Sequence, residues 1–169
     1  MMTMDDGQTA AQESVTTDAY EAFSFAPGQS IAYLARDITR LFSRALQNRI
    51  QPHGILIGQY HFLRVLWEGD GITQRELATQ VGMKESTTFT ALAGMEAKGL
   101  VRRSRHPTDR RKMLVWLTPE GKRLKQVLLP IAKEVNDITA EVLDSDDIGQ
   151  LRSLLIELKR ALESQSQKK

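Results

Sequence analysis

The segment that decides the fold runs from Thr73 to Gly121 and reads TQRELATQVG (73–82), MKESTTFTALAGMEAKGL (83–100), VRRSRHPTDRRKMLVWL (101–117) and TPEG (118–121). It opens with the pattern of a capping box, in which the Thr73 hydroxyl accepts the Glu76 amide and the Glu76 carboxylate reaches back. The helix that starts there is short, because Gly82 favours the left-handed conformation that ends helices. The segment therefore begins with a short capped helix and a tight turn.

A second helix is predicted from about Lys84 to Lys98, where Gly99 ends it. Its apolar positions, at Phe89, Leu92 and Met95, are expected to pack inward. Hydroxyl and charged side chains that can meet base edges and phosphates cluster towards its amino-terminal end: Lys84, Glu85, Ser86, Thr87, Thr88 and Thr90. Taken alone, this cluster is equally compatible with a solvated helix cap.

The pattern then changes to the period of β strands. Leu100–Arg103 and Met113–Leu117 are short β-type runs around a Pro107-Thr108-Asp109 turn, which predicts a hairpin with a long basic tip. An arginine at such a tip can enter the minor groove of DNA, and Asp109 is expected to orient one guanidinium through a bidentate pair. The hairpin residues assigned to a candidate site are Arg103, Arg105, His106, Asp109, Arg110, Arg111 and Lys112.

The basic charge of the chain is concentrated in this hairpin. Residues 102–112 hold six of the 23 lysines and arginines but one of the 21 acids, so the rest of the chain is net acidic although the total is +2. Neighbouring cations repel one another, and a localised patch therefore favours a polyanionic partner. The alternative is a solvated charged loop.

The segments on either side are predicted to form amphipathic helices. One runs from Ser30 to Ile50 and another from about Gly58 to Trp67. Thr118-Pro119-Glu120 starts a long helix whose heptad seam consists of Leu124, Leu128, Ile131, Val135, Ile138 and Val142. The expected organisation is a flexible acidic arm (1–26), an N-terminal dimerisation helix (30–55), a helix-turn-helix and hairpin lobe (56–118), C-terminal dimerisation helices (119–163) and a polar tail (164–169).

Several classes of protein are not expected. The chain has no cysteine, which excludes disulfides, thiol nucleophiles and thiolate metal sites. It has no apolar run of about 18 residues and no basic-then-apolar start, so we expect a cytoplasmic protein rather than a membrane or secreted one. No phosphate-binding loop or paired carboxylates suggest an enzyme, and we expect no cofactor and no metal.

Together these residues resemble the MarR family of winged helix-turn-helix regulators. The resemblance rests on TQRELATQVG, MEAKGLV, the Asp109-x-Arg111 pattern and LTPEG (117–121), and covers roughly residues 30–162. It implies a mainly α fold: a three-helix unit with a β-hairpin wing, and an α-helical dimerisation region from both termini. It also implies a homodimeric repressor on a pseudo-palindromic double-stranded DNA operator, released by a small aromatic or anionic ligand.

The resemblance also suggests where such a ligand would bind. In the family, effectors occupy the cleft beside the join of the first two helices, which here gives Tyr33, Arg36, His53, Tyr60, His61 and Arg64. The alternative is that these tyrosines and histidines line a core.

One departure from the family concerns the second helix of the pair. Many members carry a basic residue where this chain has Thr90 and Gly94. We therefore expect hydroxyls and Lys84 to read bases and the wing to supply more of the affinity. Two other functions stay open: a winged-helix module for acidic protein partners, and an architectural DNA binder without an effector.

Overall fold

The computed structural model describes residue 28 and residues 30–166, and within them six α-helices and three strands. The expected acidic arm, 1–26, and the end of the polar tail, 167–169, lie outside the described residues. The helices are α1 (Ile31–Ile50), α2 (Ile57–Leu66), α3 (Gln74–Val81), α4 (Glu85–Ala97), α5 (Pro119–Asp137) and α6 (Ser145–Ser166). The strands are β1 (Ile72–Thr73), β2 (Val101–Arg105) and β3 (Met113–Leu117).

Two compact units share the chain, residues 1–45 and residues 46–169. The second contains a lobe in which α2, α3 and α4 pack beside an antiparallel sheet of order β1-β3-β2. The fully buried large side chains come from all of these helices and from the two long strands: Phe62, Leu63, Leu66, Leu77, Leu92, Met95, Val101 and Val115. The predicted mainly α winged-helix fold is confirmed.

The capping box forms as the sequence predicts. The Thr73 hydroxyl accepts the Glu76 amide at 3.2 Å, and the Glu76 carboxylate accepts the Thr73 amide at 2.7 Å. Gly82 ends α3 with φ of 73°, a left-handed conformation that is cheap for glycine. These local signals place α3 and the turn that aims α4.

The start of α5 is tied to the lobe by hydrogen bonds and by a close backbone approach. Thr118 caps the helix by accepting the Gly121 amide, and its hydroxyl donates to the Gly99 carbonyl at 2.6 Å. The Trp67 indole donates to the Gly121 carbonyl at 2.8 Å. A Cβ at Gly121 would overlap the Leu100 carbonyl oxygen. This approach explains the glycine that follows Thr-Pro-Glu.

Three sequence expectations are corrected here. The first strand of the hairpin runs to Arg105, because Ser104 and Arg105 pair with Leu114 and Met113. A third strand, β1, was not predicted: its two residues are too few to show an alternating pattern. The heptad seam does not run on to Val142, because α5 ends at Asp137 and a 3₁₀ turn follows.

Two of the helices, α1 and α6, expose rows of apolar side chains, whereas α5 does not. Leu124 and Leu128 of α5 are buried in the core of the second unit. In contrast, α6 has no buried residue between positions 145 and 165, although it carries Leu151, Leu154, Leu155, Ile156, Leu158 and Leu162. In α1, Ile31, Leu34, Ile38 and Leu41 are also exposed. Among the described helices, none is long and apolar enough to cross a membrane.

Candidate nucleic-acid interface

The exposed face of α4 carries small and hydroxyl side chains. Leu92 and Met95 are fully buried, so the opposite side of the helix faces outward and presents Ser86, Thr90, Ala93 and Ala97 at helical spacing. The Thr90 hydroxyl donates to the Ser86 carbonyl at 3.3 Å, which leaves its oxygen free to accept a hydrogen bond. Lys84, Glu85 and Thr87 are exposed as well.

Thr88 was predicted to be one of the α4 side chains that contact base edges and phosphates, and that prediction is wrong. Its side chain is fully buried. Residues 88, 92 and 95 follow the three- and four-residue spacing that puts them on one side of a helix, and that side faces the core. The Thr88 hydroxyl has no hydrogen-bond partner among the described residues.

Phe89 was predicted to pack inward and instead is 56 % exposed. The guanidinium carbon of Arg103 lies 5.2 Å from the centroid of its ring. Thr88 takes the buried position, because a helix of this period turns neighbouring side chains by about 100°. Thr88 and Phe89 therefore occupy the reverse of their predicted environments.

Arg103, one of the predicted wing residues, is bound to α4. Its Nε and Nη2 donate to Glu96 Oε2 at 3.0 and 2.8 Å, and its backbone amide donates to Glu96 Oε1 at 3.0 Å. These bonds hold the pKa of Glu96 below its ordinary value. The Arg103 side chain is only 18 % exposed. Arg103 therefore ties the wing strand to α4 and is not a free cation.

Glu96 is a functional candidate that the sequence analysis missed. It lies seven residues after Phe89, which places both on the same side of α4. That seven-residue spacing is the feature of the sequence that could have indicated a role for Glu96 beside Phe89. Its partner Arg103 lies on β2, and the pairing depends on how the helix and the strand pack together.

The tip of the wing is a turn closed by its own polar groups. His106 Nδ1 accepts the Thr108 and Asp109 amides at 3.3 and 3.2 Å. The His106 amide donates to the Lys112 carbonyl at 3.0 Å. The His106 ring therefore shapes the turn through Nδ1.

Asp109 organises Arg111, although not through the predicted fork. Its Oδ1 accepts the Arg111 backbone amide at 3.1 Å and the Arg111 Nε at 3.4 Å, so only one guanidinium nitrogen takes part. Lys112 Nζ lies 3.7 Å from the other carboxylate oxygen. The Arg111 amide, more than any other group, lowers the pKa of Asp109. The Arg111 side chain is 93 % exposed, and its remaining donors point to no described residue.

The rest of the wing carries free positive charge. Arg105 and Arg110 are exposed and, within the described part of the chain, have no ion pair or side-chain hydrogen bond. Arg102 instead lies 5.2 Å from the Trp116 ring, and the Trp116 indole donates to Ser104 at 3.0 Å. The free cations are thus on the tip, while the base of the hairpin is held by internal contacts.

The two helices of the pair also meet at an exposed ion pair, Arg75–Glu85, at 3.5 Å. Glu76 lies at the start of α3, and its pKa is lowered mainly by its hydrogen bonds to Thr73 and further by Lys112 and His106. Thr73, which directly precedes α3, pairs with Leu114 of β3, so the second strand of the wing adjoins the start of α3. The helix α4 and the wing, the two elements predicted to contact DNA, therefore both adjoin α3.

The candidate ligand residues fall into two groups. Tyr33 and Arg36 belong to the unit that ends at Ala45, and the Arg36 guanidinium lies 4.3 Å from the Tyr33 ring centroid. In the other unit, the Tyr60 ring is buried against Trp67 and His61 at centroid distances of 6.1 and 6.0 Å. Burial raises the pKa of Tyr60 and lowers that of His61.

His53, His61 and Arg64 are exposed, so Tyr60 is the one buried member of the set in this unit. Within the described residues, no three histidine or acidic side chains converge in the manner of a metal site. The Tyr60 ring thus belongs to the core, as one of the two sequence interpretations had it.

Comparison with known proteins supports this lobe as a regulator domain. The model of the MarR family matches residues 56–113. The HTH-type transcriptional regulator TtmR of Methylorubrum extorquens is 30 % identical over 119 residues, which cover 68 % of this chain. The matched part spans 61 % of the length of TtmR.

Solved structures match a larger share. A MarR transcriptional regulator from Methanosarcina mazei is 30 % identical, with a TM-score of 0.72 over 79 % of this chain and 96 % of that one. CouR from Rhodococcus jostii, solved with p-coumaroyl-CoA bound, is 26 % identical, with a TM-score of 0.69 over 80 % of this chain and 95 % of that one. TtmR and the Methanosarcina mazei protein are named as transcriptional regulators, which agrees with the expectation that this chain is a regulator rather than an enzyme.

Proposed function

The chain belongs to the MarR family of transcriptional regulators, and from this premise we propose that it is a homodimer that binds a pseudo-palindromic DNA operator through α4 and the wing. We propose further that it represses transcription and that a small aromatic or anionic ligand releases it. The observation that carries the proposal is the pairing of free wing cations with an exposed, hydroxyl-lined helix. Such a combination provides contacts to phosphates and to base edges.

The link between the two elements supports this interpretation. Glu96 and Arg103 join α4 to the first strand of the wing, so that the helix and the hairpin are held as one body. Arg105 follows Arg103 by two residues on the same strand and is free. A helix in the major groove and an arginine tip on the neighbouring backbone or in the minor groove require this fixed spacing.

Fluorescence anisotropy with labelled genomic fragments, including the DNA upstream of the coding sequence, tests DNA binding. We expect the logarithm of the affinity to fall linearly with the logarithm of the salt concentration, because phosphate contacts release counterions. One fragment should bind much more tightly than the others, and equal binding to all fragments would instead indicate an architectural role. The absence of any complex at low salt would contradict the proposal.

The dimer is proposed from the exposed apolar faces of α6 and α1. Leu151, Leu154 and Leu158 of α6 follow the spacing of a helix-packing seam and are 42 %, 55 % and 38 % exposed in the single chain. Water contact with such a row costs free energy that a second copy would remove. The exposed face of α1 extends the same argument to the amino-terminal side.

Sedimentation equilibrium distinguishes the dimer from the monomer. We expect Leu154→Lys with Leu158→Lys to give a monomer, and Gln150→Lys, at an exposed polar position of the same helix, to remain dimeric. A wild-type monomer at micromolar concentration would contradict the dimer without affecting the assignment of α4.

The ligand is proposed to lie near His53, Tyr60, His61 and Arg64, all in the unit that begins at Leu46. The exposed guanidinium of Arg64 can pair with a carboxylate, and the Tyr60 ring can provide an apolar wall. A thermal-shift screen of aromatic carboxylates and aromatic acyl-CoA thioesters tests this idea. We expect a hit to stabilise the protein, to release DNA, and to lose its effect in Arg64→Ala.

A further inference from the structure

Phe89 is an exposed aromatic residue on the helix proposed to read DNA. Across residues 56–118, all described, it is the only exposed phenylalanine, tyrosine or tryptophan, since Tyr60, Phe62 and Trp67 are buried and Trp116 is half-buried. Its neighbours on the outer side of α4 are short: Ser86 three residues before, Thr90 directly after and Ala93 four residues after. The ring therefore stands above its surroundings.

The ring is also held in place. The Arg103 guanidinium covers it at 5.2 Å, and Arg103 is itself fixed by three hydrogen bonds to Glu96. The carboxylate offsets the charge of this arginine, so the cluster presents an apolar surface with little free charge. Such a surface is a poor phosphate contact and a suitable contact for an apolar group.

We propose that Phe89 reads the 5-methyl group of thymine in the major groove, so that the operator carries thymine at the position facing it in each half-site. The inference rests on the proposed function. The thymine methyl is the apolar feature that distinguishes base edges in that groove, and phenylalanine is among the side chains that contact it. Ser86 and Thr90 beside the ring supply the polar contacts that a methyl-reading residue lacks.

The test begins with a duplex selected by the wild-type protein from a random library. Each thymine of that duplex is then replaced by deoxyuridine, which lacks the 5-methyl group and keeps the same hydrogen-bonding edge. We expect one symmetric pair of replacements to weaken wild-type binding about fourfold per half-site, the scale of one buried methyl group. The same replacements should leave the affinity of Phe89→Ala unchanged.

Leu56→Ala provides the matched control, because Leu56 is 55 % exposed and lies outside α4. This variant should respond to deoxyuridine as the wild type does. Circular dichroism of Phe89→Ala should match the wild type, since the ring is not part of the core. If Phe89→Ala loses affinity with deoxyuridine to the same extent as the wild type, or if no replacement affects the wild type, the inference fails while DNA binding stands. If no duplex is selected at all, the proposed function fails with it.

Discussion

The helix α4 and the wing differ in the charge, size and hydrogen-bonding capacity of their exposed side chains. The wing carries Arg105 at the end of β2, and Arg110 and Arg111 on the turn that His106 and Asp109 close. Between residues 86 and 97, α4 exposes no lysine or arginine at all, only hydroxyls, small residues and one aromatic ring. The exposed positive charge therefore lies on the wing, and the exposed hydroxyl, small and aromatic side chains lie on α4, within a single lobe.

This separation has a consequence for recognition. Contacts between arginines and phosphates depend on salt and are largely insensitive to base sequence. Hydroxyls and methyl contacts distinguish bases and add little electrostatic energy. We therefore expect the wing to set how tightly the protein binds any DNA, and α4 to set which DNA it prefers.

The largest expected effect comes from removing wing charge. Arg105→Ala with Arg110→Ala removes four cations from a dimer, and we expect the slope of log affinity against log salt to fall by roughly four. Affinity should drop by about 100-fold or more for operator and for unrelated DNA alike. The control is Arg152→Ala with Arg160→Ala, which removes equal charge from α6. A loss confined to the operator would break the proposed division of labour.

The next effect is a loss of sequence preference from α4. We expect Thr90→Ala or Ser86→Ala to weaken operator binding about fivefold per half-site while leaving binding to unrelated DNA and the salt slope unchanged, since one neutral hydrogen bond contributes about 1 kcal/mol. Competition anisotropy with the two DNAs measures the ratio directly. A larger loss of affinity from Thr90→Ala than from Arg110→Ala would contradict the comparison.

A smaller effect is expected at the Glu96–Arg103 ion pair, which connects α4 to the first strand of the wing. The folded-state pKa of Glu96 lies below its ordinary value of 4.5, so the stability it provides is present above that pH and is lost as the pH falls through the lower folded value. Because the pair is partly exposed, we expect Glu96→Gln to lower the free energy of unfolding by about 1 kcal/mol or less at pH 7. In urea titrations this difference should shrink below pH 4.5. A difference that is constant with pH would mean that the charge of Glu96 is not involved.

The smallest expected effect comes from Thr88, the residue between the two environments. Its buried hydroxyl has no described partner, so we expect Thr88→Val to raise the free energy of unfolding by up to about 1 kcal/mol. Operator affinity should not change, in contrast with Thr90→Ala. A loss of operator discrimination in Thr88→Val would restore the original assignment of this residue to the reading face.

Much of the lobe follows from local patterns in the chain. The capping box at Thr73 and Glu76, the left-handed Gly82 and the Thr118 cap each depend on residues within a few positions of one another, and each forms as predicted. The winged-helix fold and the family follow from these signals in their order. The domain boundaries, the reading residues and the ligand set remain predictions.

The errors arose where a helix had to be oriented about its own axis. Phe89 is the more apolar residue, yet Thr88 is the buried one, because the spacing to Leu92 and Met95 and the position of Arg103 decide which side faces the core. In the same way, the sequence grouped Arg103 with the free cations of the wing, but in the structure its guanidinium is hydrogen-bonded to Glu96 of α4. Side-chain type alone does not report these contacts.

The sequence by itself determined the capping box at Thr73, the left-handed Gly82, the start of α5 after Thr118 and where positive charge gathers, since those properties depend on neighbouring residues and on composition. Only the tertiary structure decided which of the arginines are free, which threonine is buried and which aromatic ring is exposed. The reason is that these outcomes depend on distances between segments far apart in the chain, and packing sets those distances.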